Sequence, residues 1–206
     1  MVQSTETCQC LTGEQAAIYD CIYDTVIRTN NNDNNHANIE PNSMFFVDGK
    51  AGRGKTFLLN CLIMRLRAEG RSIAVCGTTG LSATLYPRGR TVHSLFGIPV
   101  TPDNTELQSR IDPQSNRADY LCHVDLIVWE ELPMANKAAV ECADQLLRKL
   151  MECSLPFGGK PIVGLGDFHQ VVPVVKNGSQ AAVFDASIHL NYLWPLFTIL
   201  SLMQPI

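Results

Sequence analysis

The sequence predicts an α/β domain with a mainly parallel sheet and helices on both faces of that sheet. Short apolar segments alternate with longer segments of helical periodicity, a pattern that is typical of parallel sheets. A polar cluster also follows each of four apolar segments, at residues 49–56, 78–80, 130–131 and 167–170. Because the carboxyl ends of parallel strands meet at one edge of a sheet, we expect these four clusters to form a common site.

The composition suits one globular domain of this class. The 206 residues are 46% hydrophobic, and no apolar run approaches the length of a membrane span. The first residues lack the basic and apolar regions of a secretory signal, and the eight cysteines include no CxxC pair. We therefore expect an intracellular protein with reduced thiols and no zinc site.

The charge argues against a wholly basic surface of the kind that coats nucleic acid. The net charge is −4, with a pI near 5.7. Six arginines nonetheless fall between residues 53 and 90. They are compatible with a local basic groove, and equally with ordinary solvated charges on helices and loops.

The chain is predicted to begin with a tail over residues 1–10, followed by a helix. Thr12 has the residue type of a helix N-cap, and Gln15 completes a capping-box pattern three residues later. The asparagine-rich stretch 29–43 lacks the apolar residues that a core needs, so we expect an exposed loop there.

Residues 49–56 carry the phosphate-binding P-loop pattern G-x-x-x-x-G-K-T. An apolar strand is predicted before it, over 44–48, and an apolar helix after it, over 56–67. The glycines let the backbone turn its N–H groups toward one centre, where the helix N-terminus adds partial positive charge. Lys55 would reach the β- and γ-phosphates of a nucleotide, and the Thr56 hydroxyl would ligate Mg²⁺.

The remaining strands and helices follow from the same patterns. Apolar runs predict strands over 72–77, 124–129 and 160–165, and helices are predicted over 81–85 and 136–151. Residues 101–119 are polar and contain two prolines, so we expect a surface excursion there. The segment 187–206 is apolar and aromatic.

Acidic residues follow the strand predicted at 124–129. A P-loop enzyme needs an acidic residue at the end of another strand to hold Mg²⁺, and a group that orients the attacking water. Glu130 and Glu131 are placed for these two roles. Asp167 and Gln170, after the next strand, are placed to sense the γ-phosphate, although a turn-forming role after Gly166 is a serious competing explanation for Asp167.

With these motifs in place, the sequence resembles the Pif-type DNA helicases of superfamily one, including those encoded by Helitron transposons. Nearly the whole chain takes part in the resemblance. The matching segments are LTGEQ at 11–15 (the Q motif), 49–56 (Walker A), GTTGLSA at 77–83 and TVHSLF at 91–96 (motif Ia and the segment after it), LIVWEELPM at 126–134 (Walker B), PFGGK at 156–160 with GDFHQVVPV at 166–174 (motif III), and LWPLF at 193–197 (the end of the first motor domain).

The resemblance implies a RecA-like domain over residues 11–206, the first of two motor domains. It implies an enzyme that hydrolyses ATP with Mg²⁺, moves 5′ to 3′ along single-stranded DNA and separates duplex at junctions. Such a protein would act without a membrane, as a monomer, in the nucleus or mitochondrion of a eukaryote, in DNA repair, recombination and telomere maintenance.

The resemblance also implies roles for individual residues. They are Gln15 for reading adenine; Gly49, Gly52, Arg53, Gly54, Lys55 and Thr56 for binding the nucleotide; Thr56 and Glu130 for Mg²⁺; Lys55, Glu131 and Gln170 for catalysis; and Thr79, His93 and Phe96 for contacting DNA. For Phe96, a place in the core is nearly as good an explanation of the residue type.

Three departures from the family pattern lead to further expectations. The family's Walker B motif reads Asp-Glu, whereas this chain has Glu130-Glu131. We expect the longer Glu130 to displace the metal, so that Glu130→Asp would raise turnover; the alternative is a site that forms around the longer side chain. Arg53 stands where the family has a small residue, and the second motor domain is expected to be absent.

Two other functions remain open from the sequence. In the first, the chain is a truncated or degenerate copy of a helicase that binds nucleotide without unwinding DNA. In the second, it is an unrelated P-loop kinase. The kinase is disfavoured by the segments that resemble motif III and the segment after motif Ia.

Overall fold

In the part of the chain that the structure describes, six parallel strands form one sheet at the centre of the fold. The computed structural model describes residues 10–31, 43–100, 107–167 and 187–204. The strand order is β3-β2-β4-β5-β1-β6, and every pairing is parallel. The strands are β1 Met44–Asp48, β2 Ile73–Gly77, β3 Arg90–Thr91, β4 Leu126–Glu130, β5 Ile162–Gly166 and β6 Thr198–Ser201.

Helices connect the strands and cover both faces of the sheet. They are α1 Gly13–Asn31, α2 Lys55–Ala68, α3 Gly80–Ala83, α4 Val92–Phe96, α5 Asn116–Cys122 and α6 Lys137–Leu150. Short 3-10 turns lie at Leu132–Met134, Pro156–Gly159, Ile188–Leu190 and Trp194–Leu196. Within the described part of the chain, no helix combines the length and the apolar character needed to span a bilayer. The α/β class with a parallel sheet is confirmed.

The four central strands, β1, β2, β4 and β5, each contribute residues to two separate hydrophobic clusters, one on each face. Phe45 and Val47 of β1 pack in the cluster that includes α1 and α2. Phe46 of the same strand packs in the other cluster, with residues of α4, α5 and α6. Successive side chains of a strand point to opposite faces, so a strand buried on both sides must be apolar throughout. This burial explains why the central strands are continuous apolar runs.

The register of the sheet aligns the carboxyl ends of its strands. Gly77 at the end of β2 is paired with Glu130 at the end of β4, and Asp48 at the end of β1 with Gly166 at the end of β5. The Gly49 amide, directly after β1, donates a hydrogen bond to the Gly166 carbonyl at 3.3 Å. The polar segments that follow these strands therefore start from one edge of the sheet, as predicted.

Several bounds and one segment differ from the prediction. The first helix continues to Asn31, into the stretch that we expected to form an exposed loop from residue 29. The expectation for residues 101–119 was wrong in part: Leu107 and Ile111 are buried in the core, and α5 begins at Asn116. These apolar side chains are isolated in a polar stretch, so local pattern gives no sign of their burial. Most of the predicted tail (1–9) and loop (32–42) lies outside the described residues.

Candidate nucleotide-binding site

The P-loop links the end of β1 to the start of α2. Gly52 and Gly54 both have φ of 76°, in the left-handed region that favours glycine. Gly54 is the N-cap of α2 and, having no side chain, cannot cap the first N–H groups of the helix. The first backbone N–H groups of α2 therefore point into the loop without a capping side chain, which is the arrangement that binds phosphate at helix N-termini.

Lys55 and Thr56 open α2 at the base of this loop, and both are half-buried. The Lys55 ammonium group donates to the Gly49 carbonyl and to the Lys50 carbonyl, the latter at 3.1 Å. These bonds hold the positive charge over the P-loop rather than in solvent. The ammonium therefore lies where it can reach the phosphates of a nucleotide bound to the loop.

Gln15 makes the predicted capping box and also reaches the P-loop. Its backbone N–H donates to the Thr12 hydroxyl at 3.3 Å, and its side-chain oxygen accepts from the Thr12 N–H at 3.0 Å. The side-chain amide donates a long bond to the Arg53 carbonyl at 3.5 Å. The capping role is thus confirmed, and the second contact ties the start of α1 to the loop.

Arg53 and Glu14 both hold the segment after β6. The Arg53 guanidinium donates to the Met203 carbonyl at 2.5 Å. The Glu14 carboxylate accepts from the N–H groups of Met203 and Gln204, at 2.9 and 3.1 Å. Arg53 therefore has a backbone partner in addition to its position beside the predicted phosphate site.

Glu130 is the last residue of β4, and its side chain is 4% exposed. The Tyr86 hydroxyl donates to the Glu130 carboxylate at 2.5 Å. Burial raises the pKa of Glu130; the Tyr86 hydrogen bond lowers it, the neighbouring charge of Glu131 raises it, and Lys55 lowers it. Burial also raises the pKa of Tyr86, so its hydroxyl keeps its proton and acts as the donor.

Glu131 follows with an unusual backbone conformation. Its φ is 59° and its ψ 38°, left-handed values that cost a residue other than glycine about 1–2 kcal/mol. The Thr78 hydroxyl, at the end of the neighbouring β2, donates to the Glu131 carbonyl at 2.8 Å and accepts from the Trp129 indole at 3.0 Å. Strained backbone of this kind is found at active sites, where surrounding contacts hold it in place.

A cavity of about 390 Å³ brings the predicted residues together. This volume lies in the range of small-molecule and cofactor sites, roughly 300–1,000 Å³. The cavity is lined by Ala51, Gly52, Arg53, Gly54, Lys55, Thr56, Leu85, Glu130, Glu131, Pro133, Met134, Gly166 and Asp167. Gly49 and Gln15 adjoin the loop outside this lining, and Gln170 lies outside the described residues.

The three residues predicted to contact DNA lie in the two segments between β2 and the end of α4. Thr79 is half-buried and caps α3, and the half-buried His93 has its Nδ1 atom 3.2 Å from the Ile98 carbonyl. Phe96 is fully buried and stacks on Trp129, with ring centroids 5.8 Å apart. A ring enclosed by the core cannot stack on a base, so the DNA contact predicted for Phe96 is not retained.

Comparison with known proteins decides the family, since the model of the PIF1-like helicases matches residues 10–206. The chain belongs to the PIF1-like helicase family. Among its relatives, the ATP-dependent DNA helicase Pif1 of Psychrobacter sp. is 33% identical over 134 residues, which cover 65% of this chain and 20% of that protein.

Two solved structures of PIF1-like helicases show the same similarity. Bacteroides Pif1 bound to single-stranded DNA matches with a TM-score of 0.72 and 27% identity, over 95% of this chain and 42% of that chain. A structure that describes DNA unwinding at forked double-stranded DNA by two coordinating Pif1 helicases matches with a TM-score of 0.73 and 28% identity, over 95% of this chain and 44% of that chain. The chain thus spans less than half the length of these proteins.

The cavity of this PIF1-like chain fits Mg²⁺ of the kind that accompanies a nucleotide. Mg²⁺ is usually bound by one or two protein groups, several waters and the phosphates of the substrate. In the described ranges, no cluster of three or more His, Cys, Asp or Glu side chains is placed to hold a metal by itself. Thr56 and Glu130 do line one cavity, so they suit a metal that brings its own phosphate and water ligands.

Tyr86 and Thr78 contact the two glutamates of this site, and the sequence did not predict either contact. Tyr86 is separated from Glu130 by 44 positions, and Thr78 from Glu131 by 53. Thr78 lies in one of the polar clusters at the strand ends, and that position was a usable signal. Nothing in the pattern around Tyr86 distinguishes it from an ordinary aromatic core residue.

Proposed function

We propose that this chain binds and hydrolyses ATP with Mg²⁺ and couples hydrolysis to 5′-to-3′ movement along single-stranded DNA. The observation that carries the proposal is the convergence of Lys55, Thr56, Glu130 and Glu131 on one cavity beside the P-loop. A cation, a hydroxyl and two carboxylates in this arrangement suit phosphoryl transfer to water. The names of the matched relatives, ATP-dependent DNA helicases, agree with that chemistry.

Each group has a distinct role in the proposed reaction. Lys55 and the N–H groups of the P-loop bind the β- and γ-phosphates and offset the negative charge that develops there. Thr56 and Glu130 hold Mg²⁺, which neutralises phosphate charge when bound. Glu131 accepts a hydrogen bond from the attacking water, orients it toward the γ-phosphorus and takes its proton.

Contacts with DNA are proposed for Thr79 and His93. Both residues are half-buried, so part of each side chain is accessible, and both belong to segments that resemble DNA-contacting segments of the family. Gln15, which contacts the P-loop through Arg53, is proposed to read adenine. The proposed partners are single-stranded DNA and duplex junctions.

Phosphate release, measured with and without single-stranded DNA, tests this function. A release rate that rises on adding DNA, and that Glu131→Gln abolishes, is the expected result. Binding of ATP without release, with or without DNA, would instead support a chain that binds nucleotide without unwinding. Transfer of the γ-phosphate to a small acceptor would support a kinase.

Lys149→Ala and Lys55→Ala form a matched pair for the same measurement. Lys149 is exposed in the last turn of α6, outside the cavity lining. We expect its replacement to leave release unchanged and the replacement of Lys55 to eliminate it. Equal release by both variants would contradict the proposed site.

A further inference from the structure

We propose that Tyr86 is a positioning residue of the metal site, which holds the Glu130 carboxylate in the orientation that ligates Mg²⁺. This inference rests on the proposed function. Tyr86 is 3% exposed, and its hydroxyl donates to the Glu130 carboxylate at 2.5 Å. The phenol therefore contacts one of the two groups proposed to hold the metal.

Tyr86 is the first residue of a tight turn. The Gly89 N–H donates to the Tyr86 carbonyl at 3.1 Å, which closes a four-residue turn. Pro87 is the second residue of the turn, and Arg88 is the third, with a φ of 64°. These features are those of a type II turn. The turn therefore fixes the backbone that carries Tyr86.

The ring of Tyr86 is anchored on the face of the sheet that carries the P-loop helix. It belongs to the hydrophobic cluster that contains Leu58 and Leu59 of α2 and Val128 of β4. Glu130 ends β4, the strand that contributes Val128 to this cluster. The Tyr86 hydroxyl therefore reaches the Glu130 carboxylate from a buried ring.

The hydrogen bond from Tyr86 matters more for a glutamate than for an aspartate, because the longer side chain has more freedom to rotate. Glu130 has one more methylene than the aspartate of the family's Walker B pattern, and therefore one more rotatable bond. The bond from Tyr86 restricts the carboxylate to one orientation, which removes that freedom before the metal binds. We infer that the site forms around the longer side chain, so that Glu130→Asp weakens Mg²⁺ binding instead of repairing it.

Tyr86→Phe removes the hydroxyl and keeps the ring in the apolar cluster. The assay is binding of AMP-PNP, a hydrolysis-resistant ATP analogue, by calorimetry in EDTA and then with increasing Mg²⁺. We expect the affinity in EDTA to stay within about twofold, because Lys55 and the P-loop are unchanged. The Mg²⁺ concentration for half-maximal effect should rise roughly tenfold, as for the loss of one hydrogen bond to a charged group.

Tyr23→Phe is the matched control. The Tyr23 hydroxyl also donates to a glutamate, Glu69, at 2.9 Å, but that residue follows the last turn of α2, roughly 20 Å along the helix from the P-loop. We expect this variant to match the unsubstituted chain with and without Mg²⁺. A thermal melt of each variant shows that it is folded under the assay conditions.

A double-substitution cycle shows whether Tyr86 acts through Glu130. Tyr86→Phe in a Glu130→Asp background should add less than twofold to the effect of Glu130→Asp alone. Additive effects, an equal loss of affinity with and without Mg²⁺, or a Tyr86→Phe variant that responds to Mg²⁺ normally would each overturn the inference. Failure of the unsubstituted chain to bind AMP-PNP at all would refute the proposed function, and this inference with it.

Discussion

Thr78→Val is the substitution that most directly tests how Glu131 is held. Valine keeps the shape of the side chain and removes the hydroxyl, which bonds the Glu131 carbonyl at 2.8 Å and the Trp129 indole at 3.0 Å. A hydrogen bond contributes roughly 1 kcal/mol, and a buried donor left unpaired costs about 1–3 kcal/mol more. We expect the free energy of unfolding to fall by about 2–4 kcal/mol.

The same substitution should slow hydrolysis far more than it weakens nucleotide binding. Without the Thr78 bond, the backbone of Glu131 is free to relax from its left-handed conformation, and its carboxylate moves with it. A displacement near 1 Å in a reaction that depends on positioning costs roughly 100-fold in rate. The affinity for ADP should change by less than about twofold, because the P-loop is not altered.

Urea unfolding, ATP turnover and ADP binding measure the three quantities. Thr84→Val is the control, since its hydroxyl donates to the Leu81 carbonyl at 2.7 Å on an exposed turn. This variant should lose less than about 1 kcal/mol and keep normal turnover. If Thr78→Val lowers the stability as expected and hydrolyses ATP at the normal rate, then Thr78 does not position Glu131.

Two further predictions concern the stability of the fold, measured by urea unfolding. Gly54→Ala should lower the free energy of unfolding by about 1–2 kcal/mol, because Gly54 has a φ of 76°. Gly80→Ala is the control: the added methyl group meets open space, so the free energy of unfolding should stay unchanged or rise. Equal effects of the two substitutions would contradict this prediction. Asp144→Asn should lower the free energy of unfolding by about 3 kcal/mol, because this buried carboxylate accepts hydrogen bonds from Arg148, Tyr192 and the Phe157 backbone N–H. Glu69→Gln, at the exposed pair with Arg65, should lower it by less than about 1 kcal/mol. A loss below about 1 kcal/mol for Asp144→Asn would show that its charge is dispensable.

The central strands could be predicted from the sequence because both of their faces are buried. A strand covered on two sides must be apolar at every position, and the predicted bounds of β1, β2, β4 and β5 differ from the observed ones by at most two residues. The edge strands β3 and β6 could not be predicted in this way. β3 has two residues, and β6 alternates half-buried and exposed positions, so neither has a continuous apolar pattern.

In the candidate site, the contiguous motifs could be predicted from the sequence, and the contacts between residues far apart in the chain could not. The P-loop and the Glu130-Glu131 pair are contiguous motifs, and their convergence follows from the parallel topology. The contact of Tyr86 with Glu130 depends on a turn and on packing across the sheet, which a local pattern does not encode. The place of Phe96 was ambiguous for a related reason, since an aromatic residue type suits both a core and a DNA surface.

Binding of Mg-ATP by calorimetry tests most directly whether the cavity beside the P-loop is a nucleotide site. We predict that the unsubstituted chain binds Mg-ATP and that Lys55→Ala, which removes the ammonium group held over the loop, does not. Lys149→Ala should bind as tightly as the unsubstituted chain. Equal affinity of Lys55→Ala and the unsubstituted chain would contradict the assignment of this site.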